Sequence, residues 1–334
     1  MKKKTNVGTT SGRIRTEDEA ARHERNAKWT RLAEKASRAP PPRIMKKDVD
    51  QMIRYLRRKG APGRDEIPGW TYLLMHAPDL RKMAHRILQI VLHAGIPPET
   101  WAELWITPVF KDGDRYEVDR YRPITLMVVL AKAVEAVIQR RLQEKVARKD
   151  SWHASIMGFR KKRSRELALF ILVETILYKI WKSRDKPSRH KKVFLLLADE
   201  SDAFDGMDKQ AAEIGLYKAG IRGKMWLLDS AMNKQQRIRV RVNGRLTSAY
   251  SREGGAPQGA VLTPAKYNGA KSPLQASLEK RGMGVLVGET TITGVGYADD
   301  TANLEESELG MENILRAFAK ESARIGNRYK PGRC

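Results

Sequence analysis

Two acidic clusters carry the residues of this chain best suited to chemistry. One is Asp199-Glu200-Ser201-Asp202-Ala203-Phe204-Asp205, the other Tyr297-Ala298-Asp299-Asp300. Each directly follows a run with strand character. Carboxylates presented from turns at strand ends can converge on hard divalent cations. Two such cations about 3.5–4 Å apart would activate an attacking hydroxyl and stabilise a leaving pyrophosphate, which is the chemistry of nucleotide addition. Taken singly, each cluster also fits the commoner use of Asp pairs, to cap helices or build turns. The only cysteine, Cys334, is the last residue, and the six histidines show no Cys-x-x-Cys or His-x-x-x-His spacing. A zinc site is therefore not expected, and a catalytic metal would be held by carboxylates. A single cysteine also forbids an internal disulfide, in keeping with a reducing compartment.

The elements that would position these clusters follow from hydrophobic pattern. Val193-Phe194-Leu195-Leu196-Leu197-Ala198 is continuously apolar, which predicts a strand buried on both faces, leading into the first cluster. Thr291 to Tyr297 predicts a strand leading into the second. Ile238, Val240 and Val242 alternate with Arg237, Arg239 and Arg241, a strand with one basic face, and Asn243-Gly244 supplies a tight hairpin turn. Met52, Ile53 and Leu56 share a helix face that Lys59-Gly60-Ala61-Pro62-Gly63 ends. Leu130, Val134, Val137, Ile138 and Leu142 predict an amphipathic helix, and Leu167 to Ile180 another. Residues 1–44 are polar and mixed in charge, with Pro40-Pro41-Pro42 near their end. They read as a flexible basic leader with a frayed helix at Arg22 to Lys35. Helices around a few central strands, with no internal repeat, indicate an α+β fold.

Lysine and arginine number 64 against 39 aspartates and glutamates, a formal charge of +25 over 334 residues. Phosphate backbones and anionic membranes are the partners such an excess suits. No segment reaches the ~20 uncharged apolar residues of a membrane span. The richest, Leu167 to Trp181, is broken by Glu174 and Lys179. The basic N-terminus has no apolar run behind it, so no secretory signal is read, and an intracellular protein of cytoplasm or nucleus is expected. Between Arg140 and Lys192 lie 17 Lys or Arg and 5 Asp or Glu. Such a run is ordinarily a solvated face. Here Trp152, Phe159 and Trp181 interleave with it, as on a nucleic-acid surface.

The order of further motifs joins these readings. Lys59-Gly60-Ala61-Pro62-Gly63-Arg64-Asp65-Glu66-Ile67-Pro68 resembles the opening motif of reverse transcriptases, in particular of their non-LTR (LINE-like) retrotransposon branch. Val109-Phe110-Lys111-Asp112-Gly113-Asp114 and Tyr121-Arg122-Pro123-Ile124-Thr125-Leu126 are similar to that branch's fingers segment, Lys132 and Glu135 to its next helix, and Gly158-Phe159-Arg160 to the following block. Asp199 to Asp205 resembles motif A. Gly255-Ala256-Pro257-Gln258-Gly259 with Leu262-Thr263-Pro264 resembles motif B, and Tyr297 to Asp300 motif C. Seven blocks in the family's order extend over roughly residues 45–334.

The resemblance implies a right-hand polymerase fold, mainly fingers over 45–192 and mainly palm over 193–334, with an antiparallel palm sheet. It implies RNA-directed DNA polymerase activity, with an RNA template, a DNA primer and dNTPs as partners. Two Mg2+ ions, for which Mn2+ can substitute, would be the cofactors. Asp199 and Asp299 would be the main metal ligands, Asp300 would assist, and the backbone carbonyl of Glu200 would complete a shell. Lys111 and Arg122 match the cations that neutralise the triphosphate. Phe204 stands at the steric-gate position, its alternative being an ordinary core aromatic. Gln258 and Gly259 would lie against template and nucleotide, Gly allowing close backbone approach. Arg160, Lys161, Lys162 and Arg163 would contact nucleic acid.

Some positions depart from the family pattern. Asp202 stands where many relatives carry Lys, Ala198 where Leu is commoner, and Lys266 where an apolar residue is expected. Arg333 takes a motif D position often held by Lys, and arginine is too basic to be a good proton donor. The sequence ends at Cys334, so the expectation is a polymerase cut off after the palm, with thumb, endonuclease and zinc knuckle absent. An RNA-dependent RNA polymerase is disfavoured by Phe204 and the Tyr-Ala-Asp-Asp core, a group II intron-type enzyme by the fingers motifs. From another class, the alternative is a weak or inactive remnant that only binds RNA.

Overall fold

The computed structural model describes residues 11–329 except 59, 150, 185–191, 199, 202, 235, 253 and 327, and without the side chains of 11–18, 183, 184, 201, 328 and 329. The helices are α1 (Ser11–Ser37), α2 (Lys46–Leu56), α3 (Ala77–Ala94), α4 (Val129–Lys149), α5 (Arg165–Arg184), α6 (Lys209–Lys218), α7 (Lys224–Lys234), α8 (Thr263–Lys280) and α9 (Glu308–Arg324). The strands are β1 (Glu103–Phe110), β2 (Tyr121–Leu126), β3 (Phe194–Ala198), β4 (Glu200–Ser201), β5 (Arg237–Val242), β6 (Arg245–Leu246), β7 (Tyr250–Ser251), β8 (Val285–Val287), β9 (Thr290–Ile292), β10 (Gly294–Tyr297), β11 (Asp300–Glu305) and β12 (Arg328–Tyr329).

The N-terminal half is built on α2, α3 and α4. Val49, Met52, Ile53 and Leu56 recur at helical spacing and bury one face of α2. Asp48, fully buried, sits in the guanidinium forks of Arg140 and Arg141 and so ties α2 to α4. β1 pairs antiparallel with β2 and parallel with β5, in a sheet ordered β2-β1-β5-β6 with β7 also on β5. Asn243 (φ 49°) and Gly244 (φ 77°) turn β5 into β6, both at the positive φ that a type I′ hairpin needs. The basic face expected on β5 is largely partnered. Arg237, Arg239 and Arg241 meet Glu99, Glu103 and Glu66.

A second sheet, β10-β11-β3, is antiparallel throughout. Leu196 and Ala198 face α8 and α9 through Leu274, Leu278, Ile314 and Phe318. The opposite face of β3 is open, with Leu195 47 % and Leu197 58 % exposed, which corrects the expectation of a strand buried on both sides. The reason is architectural: β3 is an edge strand, and α5, the helix on that side, packs on β10 and β8. The strand expected over Thr291 to Tyr297 is likewise two strands. β9 pairs with β8, whereas β10 pairs with β11. The break falls at Thr293, and Gly294 (φ 153°), which opens β10, lies so close to β11 that a Cβ would sit 2.1 Å from the Ala302 carbonyl oxygen.

Where a flexible leader with a frayed helix at Arg22 to Lys35 is expected, α1 is a longer, docked helix; residues 1–10 of that leader lie outside the described residues. α1 packs on α6, α7 and α9. Trp29, Leu32 and Ala33 lie on the core. The Trp29 indole donates to Glu213 at 2.5 Å, and Arg25 pairs with Asp208 at 3.0 Å while donating to the Arg324 carbonyl at 2.8 Å. So narrow an apolar stripe among charged residues reads as solvated until its ion-pair partners are seen. Among the described residues, no helix is long and apolar enough to cross a membrane.

Candidate active site

Tyr297 and Asp300 pair across the β10–β11 hairpin and leave Ala298 and Asp299 as its two-residue turn. Ala298 has φ 58° and Asp299 does not share the positive sign, the pattern of a type II′ turn. An alanine held there costs on the order of 1–3 kcal/mol. The turn leaves Asp299 half-buried and Asp300 exposed. Because Thr301 pairs with Ala198, β3 ends alongside this turn. Asp199 and Asp202 lie outside the described residues, as does Arg333.

The turn rests on the 155–158 segment. Ile156 bridges to Gly296, the Met157 N–H donates to the Gly296 carbonyl (2.8 Å), and the Gly296 N–H donates to the Ser155 carbonyl (2.9 Å). At Gly158 a Cβ would lie 2.7 Å from the Ala298 nitrogen, so only glycine fits. The Asn268 amide of α8 donates to the Gly158 carbonyl at 2.8 Å. Beyond it, the Phe159 ring sits 6.4 Å from that of Tyr297. Arg160 folds back, donating to the His153 and Ile156 carbonyls, and Arg163 leans on the Met157 sulfur. Lys161 and Lys162 are the exposed members of that quartet.

The segments read as motifs A and B are bolted together. The Gly255 and Ala256 N–H groups donate to the Met207 and Phe204 carbonyls at 2.8 and 2.7 Å. Gly255 (φ 74°) admits no side chain, since a Cβ would lie 2.3 Å from the Asp205 carbonyl oxygen. Asp205 accepts from Arg252 at 2.7 Å and from the Gln258 amide at 2.5 Å. Burial pushes the Arg252 guanidinium down, and Asp205 opposes that shift. Phe204 is half-buried, 5.2 Å from the Tyr267 ring. The carboxylate of Glu200 points into the interior, where it meets Lys271 at 2.9 Å and accepts from Tyr267.

The N-terminal half also reaches this assembly through β2 and α4. The Thr125 N–H of β2 donates to the Gln258 carbonyl at 2.7 Å, and Gly259 (φ 102°) passes so close that a Cβ would lie 3.1 Å from the Thr125 carbonyl oxygen. Glu135 of α4 accepts from the Val261 and Leu262 N–H groups at 2.7 and 3.4 Å, just ahead of α8. Burial pushes the Glu135 carboxyl up to about 7; nearby Asp229 adds to the rise, while Lys266 and the two N–H groups oppose it. Lys266, the departure from an apolar position, is buried and pairs with Asp229 at 2.7 Å. Lys111 and Arg122 stand exposed on one face of the β1–β2 hairpin, where Arg122 pairs with Val109 and the Lys111 N–H donates to the Arg120 carbonyl.

The model of the reverse transcriptase (RNA-dependent DNA polymerase) family matches residues 110–334. The chain belongs to the reverse transcriptase family. It is 25 % identical over 255 residues to the retrovirus-related Pol polyprotein from type-1 retrotransposable element R2 of Popillia japonica, covering 75 % of this chain and 34 % of that one. It is 27 % identical over 301 residues to the RNA-directed DNA polymerase from mobile element jockey of Drosophila melanogaster, covering 86 % and 31 %. The chain thus spans about a third of the length of these curated relatives. The structure of apo telomerase from Candida Tropicalis superposes with a TM-score of 0.50 at 12 % identity, covering 70 % of this chain and 45 % of that one. That likeness speaks to fold, and the fold is the right-hand polymerase one that the motif order implied.

Reverse transcriptases generally use divalent metal ions. In this reverse transcriptase domain, the described residues hold no group of three His, Cys, Asp or Glu side chains placed to bind a metal. Asp299 and Asp300 nonetheless offer hard oxygen donors from a strained turn at the end of the sheet, a donor chemistry that suits Mg2+. Sequence reading did not find Arg252 or Asn268. Their partners, Asp205 and Gly158, lie 47 and 110 residues away, and nothing in local pattern marks either residue.

Proposed function

We propose that this reverse transcriptase domain performs RNA-templated DNA synthesis, adding dNTPs to a primer 3′-hydroxyl within a non-LTR retrotransposon enzyme. The observation that carries the reading is the Ala298–Asp299 turn, held at the end of the sheet beside the end of β3. Asp199 and Asp299 would hold two Mg2+ ions, with Asp300 assisting and the Glu200 backbone carbonyl adding a ligand. When bound, the cations activate the primer hydroxyl and stabilise the departing pyrophosphate. The Glu200 carboxylate is engaged with Lys271 and Tyr267, which is consistent with its contributing backbone alone.

Lys111 and Arg122 would neutralise the triphosphate from the fingers, Arg by its fork and Lys as a point charge. Phe204, backed by Tyr267 and pinned through its carbonyl to Ala256, would exclude a 2′-hydroxyl. Gln258 and Gly259 would line the template and nucleotide. Lys161 and Lys162 would hold phosphates, with Arg160 and Arg163 shaping their loop. In this reading residues 45–192 act mainly as fingers and 193–334 mainly as palm, and the protein works inside the cell. Purified protein on poly(rA)/oligo(dT) with Mg2+ should incorporate dTTP in preference to UTP. RNA binding without incorporation, in Mg2+ and in Mn2+, would instead favour a protein that only binds RNA.

A further inference from the structure

Phe159 is an aromatic side chain left in the open at a costly backbone conformation. It is 43 % exposed, with φ 57°, and Lys162, three residues on, has φ 60°. Positive φ is uncommon for bulky residues and persists where surrounding structure imposes it. The imposing contacts are visible. Gly158 is wedged against the Ala298 nitrogen, Asn268 grips the Gly158 carbonyl, and Arg160 donates to the His153 and Ile156 carbonyls. One side of the ring leans on Tyr297. The residue also borders a small cleft of about 60 Å³ lined by Gln143, Trp152, Arg160 and Lys161. The buried Trp152 indole N–H has no acceptor among the described residues. An apolar core role would bury the ring, and a solvated loop would not hold it in this conformation.

We propose that Phe159 is a stacking platform for one base of the single-stranded RNA template, with Lys161 and Lys162 holding the flanking phosphates. This rests on the template-binding reading above and goes beyond it by naming the ring, the base contact and its register. Base–aromatic stacking tolerates any base, because every base has a π-face, and adjoining cations fix the strand. The Gly158–Ala298 contact makes the platform rigid with the acidic turn, so a base stacked there is held at a fixed offset from Asp299.

Stacking and phosphate contacts have different salt signatures, which makes the proposal testable with a fluorescent ten-nucleotide oligouridylate. Phe159→Ala should weaken binding roughly tenfold with the slope of log K against log salt unchanged. Phe159→Leu, which keeps apolar bulk against Tyr297, should lose as much, and Phe159→Trp should restore wild-type affinity. Lys161→Ala and Lys162→Ala should each lower the slope by about 0.7, the value for one phosphate contact on a single strand. A 5-iodouridine placed along the oligonucleotide should photocrosslink to Phe159 in the wild type. Wild-type affinity in both Phe159→Ala and Phe159→Leu overturns the platform while leaving RNA binding intact. Failure of the wild-type protein to bind the oligonucleotide overturns the template reading and the platform with it.

Discussion

Glu135 illustrates how one carboxylate can join two halves of the molecule at an energetic cost. Its oxygen serves the N–H groups of Val261 and Leu262, yet burial raises its carboxyl to about 7 from the ordinary 4.5. A group raised in this way favours the folded state below pH 4.5, and that stability is lost as pH climbs through 7. The loss amounts to at most roughly 3 kcal/mol. Glu135→Gln keeps an acceptor and cannot ionise. Denaturant titrations from pH 5 to 8 should therefore show the wild type losing stability relative to the variant as pH rises. Parallel curves would contradict this. Phe204→Val should raise ribonucleotide incorporation relative to deoxyribonucleotide in competition assays; an unchanged ratio returns Phe204 to the core around Tyr267. Both residues were legible in sequence through motif position. Arg252 was not, because its role exists only where the Asp205 turn and the Ala256 loop meet.

Among the elements, the acidic hairpin depends on neighbours that admit no side chain. Gly158→Ala would push a methyl group to 2.7 Å from the Ala298 nitrogen. Misplacing a catalytic group by about 1 Å costs on the order of a hundredfold in rate, so extension should fall by about that factor. Overpacking should cost about 1–3 kcal/mol of stability. Gly296→Ala is the control, since nothing lies within 4 Å of its Cβ position. Equal extension rates for the two variants would dismiss the contact as incidental. Periodicity revealed α2, whose burial on one face imprints the sequence directly, and the Asn243-Gly244 turn revealed the β5–β6 hairpin. α4 was found as a helix but is buried on nearly every side from Val129 to Ile138, not on one face. Hydrophobic pattern misread β3, whose apolar run lies at an edge with Leu195 and Leu197 exposed. It placed a helix at Arg22 to Lys35 but read it as frayed, whereas α1 docks through Arg25 and Trp29 together with Leu32, Ala33 and the buried Ala36.

Over the whole molecule, nearly half of the +25 charge falls between Arg140 and Lys192, and part of the rest is spoken for. The arginines of β5 face glutamates, and Lys266 and Lys271 are buried in ion pairs. The exposed remainder should bind RNA by counterion release, with affinity falling steeply between 50 and 200 mM salt. Binding that ignores salt would contradict this. Polymerase chemistry asks more than charge, and the acidic turn is where it would reside. The most direct measurement is therefore primer extension on an RNA template, run beside RNA affinity, for the wild type, Asp299→Asn and Asp199→Asn. Loss of extension in both variants, with RNA affinity kept, is the predicted result. Undiminished extension by either variant would contradict the assignment of that carboxylate to catalysis.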